Sequence, residues 1–508
     1  MQNVPLIHDM AKVIIIGGGV AGLTAGIYAQ KAHLQSTIYE RHTLPGGLLS
    51  WWQRKGFLLD NCVHWLTGTK PGTDIHQLWH EIGVLGDGIE VFQPKSFMQV
   101  EQDGLSLNLW RDIRKIRQEM LALSPEDAPH IEEFIRLLTL YKDTVVVADK
   151  PLEQYGLIEK AKLIWKMRHI GKVHRVYSKM SIPKYAERFR HPLIRKFLTA
   201  YFPKYYNVSS LFFVFGIFCD GNADLPAGGS RGMMQHAVAR YNELGGTIQT
   251  GWEAERVHIQ RKRAVSVQFR NGEVVEADFV VLACDLYHTM TRLLPVGYMD
   301  KYMWERFMDT PEKHPTYSSV NLYYSVAHTT TGIPDAMVLD LEGVDINGTP
   351  AACAFLKHFN YEPSFAPEGQ SVLQVLITQY EPDYAYWSEL RQENYQSYKA
   401  EKRLVAQAVA QNLMRRFPEL EGCLDLLDVC TPATNYRFCN TYKGAYMSFC
   451  LTPDNEKVNH NGRIKGIDNL YLAGQWLQAP GGLPNAAVTG KFAIQRLLHD
   501  HRGLSKGS

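Results

Sequence analysis

The sequence predicts an α/β protein in which a Rossmann-type dinucleotide-binding domain is interrupted by a mixed α+β domain. Three observations predict it. A β-branched apolar run, Lys12–Ile16, leads directly into Gly17-Gly18-Gly19-Val20-Ala21-Gly22. A second strand–glycine–helix unit, Ile467 to Leu498, closes the chain. Between them, 116–224 and 300–454 carry no nucleotide motif. At 508 residues the chain has room for two or three domains.

The opening unit has every part a pyrophosphate site needs, in order. Lys12–Ile16 reads as a buried parallel strand. Gly17 permits the tight turn, Gly19 lets a phosphate approach the backbone, and Gly22 lets the next helix pack closely on the sheet. Val20 and Ala21 open that helix, whose N-terminus offers free N–H groups. A short strand, Ser36 to Tyr39, then ends on Glu40, 18 residues after Gly22. Glu40 is placed to accept hydrogen bonds from a ribose diol. Its charge argues against a 2′-phosphate there, and hence against NADP.

Composition excludes several classes. Net charge is +2, so no nucleic-acid partner is expected. None of the eight cysteines forms a CxxC pair, and no Cys/His cluster has zinc spacing, so no metal is expected. The opening MQNVPLIHDMAK lacks the apolar core of a leader peptide. The expectation is a cytoplasmic protein with reduced cysteines. The apolar run Leu211 to Phe218 is too short to span a bilayer. No second GxGxxG is evident, so no dedicated NAD(P) site is expected.

Further segments carry a family resemblance. Glu40-Arg41-His42-Thr43-Leu44-Pro45-Gly46-Gly47 resembles the glycine-pair segment of the amine oxidase and phytoene desaturase superfamily of FAD proteins. An Arg follows the pair in many members; here it is Leu48. Leu470-Tyr471-Leu472-Ala473-Gly474-Gln475 looks like the superfamily's last strand, where an acid commonly follows the glycine in place of Gln475. Pro480-Gly481-Gly482-Leu483-Pro484-Asn485 then leads into a helix, Val488 to Leu498. Leu225 to Gly232, a helical run Met233 to Leu244 and the strand at Val257 to Ile259 resemble the return from the substrate domain. The resemblance implies a glutathione reductase-like FAD domain. It implies cofactor contacts from Arg41, Gly46, Gly47 and Leu48. Gly474 and Gln475 would meet the pyrophosphate and ribityl chain, Leu483, Pro484 and Asn485 the flavin edge, and the backbone of Val257 the adenine. The expected FAD domain comprises 1–115, 225–299 and 455–505, and the substrate domain 116–224 and 300–454.

Within the superfamily the likeness is closest to the phytoene desaturase, carotenoid isomerase and retinol saturase branch. It rests on Gly56 to Trp65, on the helix pair from Asp112 to Arg136, and on a Thr431-Pro432 strand followed by Lys443-Gly444-Ala445-Tyr446. It implies an FAD-dependent oxidoreductase acting on carbon–carbon bonds of a long isoprenoid, carotenoid, retinoid or fatty-acyl substrate. Desaturation, saturation and isomerisation all remain open, as does the electron partner. His64, with a pKa near neutrality, is the leading acid/base candidate. The plain alternative is a histidine bonded structurally beside the cofactor. Lys443 and Tyr446 are weaker candidates. Two other readings stand beside this one: an amine oxidase-like or protoporphyrinogen oxidase-like enzyme, and a non-catalytic lipid escort that has lost FAD.

The stretch 156–180 predicts one further surface. It holds seven basic residues against Glu159, a net +6. Leu163, Met167, Ile170, Val173, Tyr177 and Met180 share one helical face. Such a helix, carrying Trp165, can lie on an anionic membrane. The plain alternative is a solvated basic face.

Overall fold

A computed structural model describes residues 11–501 other than 329, 331 and 455–458. The opening segment 1–10 and parts of the third expected FAD-domain piece, 455–458 and 502–505, lie outside the described residues.

The chain's first strand, Lys12–Ile16, lies at the centre of a five-stranded parallel sheet. The order is Thr247–Thr250, Gln35–Glu40, Lys12–Ile16, Phe279–Leu282, Leu470–Leu472. Ile15 pairs with Ile38 on one side and Val281 on the other, and all three are fully buried. Apolar side chains on both faces account for this burial. Helix Val20–Lys31 covers one face and crosses the last helix, Gly482–Asp500. The crossing is close because Gly490 has no side chain; a Cβ there would stand 2.3 Å from the Ala21 carbonyl oxygen. The two ends of the sequence thus meet at one site. The last helix starts six residues before the expected Val488, through Leu483-Pro484, where proline suits a helix's first turn.

A seven-stranded sheet forms the second layer. Its order is Leu424–Cys430, Ser318–Val326, Ser371–Gln379, Cys353–His358, Ala336–Asp340, Ser96–Gln102, Leu105–Trp110. The last two strands fall inside the expected piece 1–115 of the FAD domain, yet they bond here, with Met337 opposite Gln99. Their inward residues Met98, Val100, Leu107 and Leu109 are fully buried in the same core as Phe134 and Phe197. Strand periodicity marks which residues point inward; it does not say which sheet receives them.

Helices pack on this sheet. The pair expected from Asp112 to Arg136 forms as Ile113–Leu123 and Ala128–Tyr141. The apolar run 211–218 lies inside the buried helix Val208–Cys219. Among the described residues no helix is long and apolar enough to cross a membrane. The expected strand at Thr431-Pro432 is instead the start of helix Pro432–Cys439. Proline is pre-set for the first helical position and donates no ladder hydrogen bond, so the strand ends at Cys430.

Candidate active site

One cavity of about 1330 Å³ opens above the carboxyl ends of the parallel strands and continues into the second layer. That exceeds the roughly 300–1,000 Å³ of ordinary small-molecule sites. Gly17, Gly19, Glu40, Gly46, Gly47 and Gly474 line one end. Phe202, Phe213, Val214, Phe355, Leu376 and Ile377 line the other. The first end lies at the strand termini, where nucleotides bind in open α/β sheets.

The glycines do different work. Gly17 has φ +105°, a region that disfavours side chains, and a Cβ on Gly22 would lie 1.9 Å from the Gly17 oxygen. Gly22 does not line the cavity; it seats the helix. Gly19 differs, since its nearest neighbour to a built Cβ is Gly46 O at 3.6 Å. Its bare face is left open to the cavity. Gly46 N–H donates to Gly18 O at 2.9 Å, so the two glycine segments form one cradle. Glu40 is buried, and its two carboxylate oxygens accept from Gly18 N–H at 2.8 Å and His42 N–H at 2.9 Å. Each oxygen retains a lone pair for a ribose hydroxyl. These residues fit a dinucleotide. Val20, Ala21, Arg41 and Leu48 also line the cavity.

Val257 does not. Its side chain is buried in the core beside Tyr39 and Phe269. Trp252, Glu253 and Ala254 line the cavity in its place. Strand Thr247–Thr250 runs parallel to Gln35–Glu40, with Thr250 opposite Glu40. Gly251 N–H then donates to His42 O and Trp252 N–H to Glu40 O. The turn after this strand and the first residue of the next strand, Ala254–Gln260, therefore line the cavity beside Glu40. The parallel pairing that fixes this register is not written in the local pattern.

At the closing motif, Gly474, Gln475, Leu483, Pro484 and Asn485 all line the cavity. Gln475, expected to meet the ribityl chain, is engaged with protein. Its Oε1 accepts from Gly482 N–H at 2.8 Å and its Nε2 donates to Tyr446 O at 3.2 Å. It braces the loop that presents the helix N-terminus.

Of the three acid/base candidates, His64 and Tyr446 line the cavity and Lys443 does not. Lys443 pairs instead with Glu381 at 2.5 Å, away from the site. Tyr446 stands edge-on to Tyr317, ring centres 5.2 Å apart at 82°, and burial raises its phenol well above the usual range. The His64 segment is pinned by buried Asp60, which accepts from Cys62 N–H, Val63 N–H, Ser230 N–H and Ser230 Oγ. Burial and the nearby Lys357 charge lower the His64 pKa to about 4, so the ring is neutral at pH 7. Its Nε2 contacts Gln374 Oε1 at 2.8 Å, and Lys357 Nζ donates to its backbone oxygen at 2.8 Å. Burial lowers Lys357 to about 8. Gln374 and Lys357 escaped the sequence reading because they lie in strands that pattern alone marks as core. A buried lysine in a strand was the one signal available.

A glycine cradle at strand ends, a buried acid beside it and an adjoining apolar chamber suit a dinucleotide cofactor and an apolar substrate, as in a flavoprotein oxidoreductase. The chain belongs to the flavin containing amine oxidoreductase family, whose profile matches residues 20–498. FAD is the cofactor of this flavin-containing chain. Among curated relatives, a chloroplastic prolycopene isomerase of Daucus carota is 22% identical, over 96% of this chain and 80% of its own. A lycopene-forming phytoene desaturase of Pseudescherichia vulneris is 21% identical, over 97% and 100%. Among solved structures, a putrescine oxidase triple mutant superposes with TM-score 0.61 at 13% identity, covering 96% and 99% of the two chains. A cyclohexylamine oxidase from Brevibacterium oxydans gives 0.56 at 13%, covering 97% and 100%. These structural likenesses carry the fold alone.

Proposed function

We propose that this FAD-dependent oxidoreductase desaturates, saturates or isomerises carbon–carbon bonds in a long isoprenoid, carotenoid, retinoid or fatty-acyl chain. The observation that carries the reading is the joined cavity. Its cofactor end continues into a chamber walled by aromatic and aliphatic side chains, suited to a chain that has no polar group to anchor. The carotenoid-enzyme relatives support the same substrate class.

In this reading Gly17, Gly19, Gly46 and Gly47 hold the pyrophosphate and Glu40 the ribose. Ala254 faces the adenine, and Leu483 to Asn485 present a helix N-terminus to the flavin. Bound FAD supplies hydride transfer. The protein excludes water, orients the chain and presents His64 as a neutral hydrogen-bond partner beside it. The FAD domain is built on the five-stranded sheet and the substrate domain on the seven-stranded one, with 96–110 assigned to the latter.

The substrate is taken from a membrane surface. Helix Leu157–Tyr177 turns Met167 and Ile170 toward the cavity while leaving Leu157 87% and Trp165 67% exposed. Its lysines surround these apolar tips, as an interfacial helix requires.

Amine oxidation is less favoured. A flat amine slot needs two rings facing across a gap, whereas Tyr317 and Tyr446 touch edge to face. A lipid escort without FAD is opposed by the open glycine cradle and intact Glu40. Purification, an absorption spectrum and mass spectrometry of extracted lipid test the reading. Flavin bands near ~450 nm with a co-purifying polyene or acyl lipid are expected. A colourless protein that takes up no FAD would overturn it.

A further inference from the structure

Behind His64 lies a hydrogen-bonded chain whose direction can be read. Tyr323 and Gln374 stand directly opposite in neighbouring strands, both fully buried. Gln374 Nε2 and Tyr323 Oη are 3.1 Å apart. On its other side the Tyr323 hydroxyl meets the Asp60 carbonyl oxygen at 3.2 Å and Asn61 Oδ1 at 2.7 Å. A main-chain carbonyl can only accept, and Asn61 Oδ1 also takes a hydrogen bond from Asn321 Nδ2 at 3.0 Å. The single Tyr323 hydrogen therefore points away from Gln374, and the hydroxyl accepts from the Gln374 amide. That turns Gln374 Oε1 toward His64 Nε2, which must carry the hydrogen.

We propose that Gln374 is a positioning residue that locks His64 in the Nε2–H tautomer, leaving Nδ1 as a hydrogen-bond and proton acceptor only. Lys357 assists by gripping the His64 carbonyl and disfavouring a second positive charge beside its own. The charged groups behind the ring are Lys357 with Asp60 and Asp335, and both carboxylates act on the lysine. With Nε2–H given to Gln374, His64 keeps only Nδ1 for any other partner, and there it accepts and does not donate. The inference rests on the proposed function only for the presence of flavin and substrate beside His64. The tautomer itself can be read in the protein with or without activity.

The test is ring-nitrogen NMR of the FAD-loaded protein labelled with ¹⁵N-histidine. Among the 19 histidines, His64 is assigned by the signal missing in His64→Asn. The expected result is a protonated Nε2 and a bare Nδ1, unchanged from pH 8 to pH 5. A protonated Nδ1, or titration with a midpoint above pH 6, overturns the proposal. In Gln374→Leu both tautomers should appear, and in Gln374→Glu the ring should gain a second proton and titrate at or above pH 6.5. A pure Nε2–H ring in Gln374→Leu would show that Gln374 does not set the tautomer. Retained FAD absorbance in each variant reports the fold, and the wild-type spectrum, assigned with His64→Asn, decides the tautomer even where a Gln374 variant fails to fold. Failure of the flavin reading would appear separately, as a protein that binds no FAD.

Discussion

Gly19 and Gly46 are joined as a parallel bridge, so the first glycine loop and the Gly-Gly segment after the second strand form one surface. The backbone at Gly19 has φ −74°, open to any residue, and a Cβ there would only touch Gly46 at ordinary distance. Gly19→Val should therefore fold and stay colourless, its side chain occupying phosphate space. Gly22→Val should instead unfold, because its Cβ would overlap the Gly17 oxygen at 1.9 Å. The flavin-to-protein ratio and the thermal midpoint of each variant separate the two effects.

Glu40 joins stability to cofactor binding. Glu40→Ala leaves the Gly18 and His42 N–H groups without their acceptor, at about 1–3 kcal/mol for each such buried group. FAD affinity should fall more than about tenfold, the ribose having lost a charged acceptor. Glu40→Gln, whose single amide oxygen can accept from only one of the two N–H groups, should recover part of the stability and little of the affinity. Denaturant unfolding and FAD titration of the stripped protein check both.

His64 makes stability depend on pH. Its folded pKa of about 4 lies below the unfolded value near 6.5. Between these values the unfolded chain binds the extra proton, so stability falls as pH drops through this window. The full effect is about 3 kcal/mol, less where cavity water reaches the ring. Asp285, raised by burial to about 6, works in the opposite sense, losing stability as pH rises through that value. The informative quantity is thus the difference between the wild type and His64→Asn. The denaturation midpoint of the variant should fall less between pH 6.5 and pH 4.5. Parallel curves would count against a buried neutral His64.

Helix Leu157–Tyr177 should carry vesicle binding. Trp165→Glu together with Ile164→Glu changes two exposed side chains and leaves the inward Met167 and Ile170 in place. Sedimentation with anionic vesicles should drop more than about tenfold, and added salt should weaken the wild type's binding. FAD content should not change. Equal sedimentation of variant and wild type would reduce the helix to a solvated basic face.

The cofactor end was legible in the sequence because its requirements are local. Gly17, Gly19 and Gly22 must be small, and Glu40 must end the neighbouring strand, so spacing alone announces them. Gly474 and the loop before Leu483 were marked by the family resemblance rather than by spacing. What the sequence did not disclose depends on pairing between distant strands. Val257, expected at the adenine, gives way on the cavity wall to Trp252, Glu253 and Ala254 once the register of Thr250 against Glu40 is fixed. Residues 96–110 join the other sheet through one parallel contact with Ala336–Asp340. Lys443 leaves the site because Glu381, far from it in sequence, claims its charge.

The most direct test of the account incubates the FAD-loaded protein under argon, once oxidised and once reduced, with a long polyene and separately with a primary amine. The account predicts a changed number or geometry of double bonds in the polyene in at least one flavin state, and no oxidation of the amine. An unaltered polyene in both states, with amine-dependent bleaching of the flavin, would contradict it.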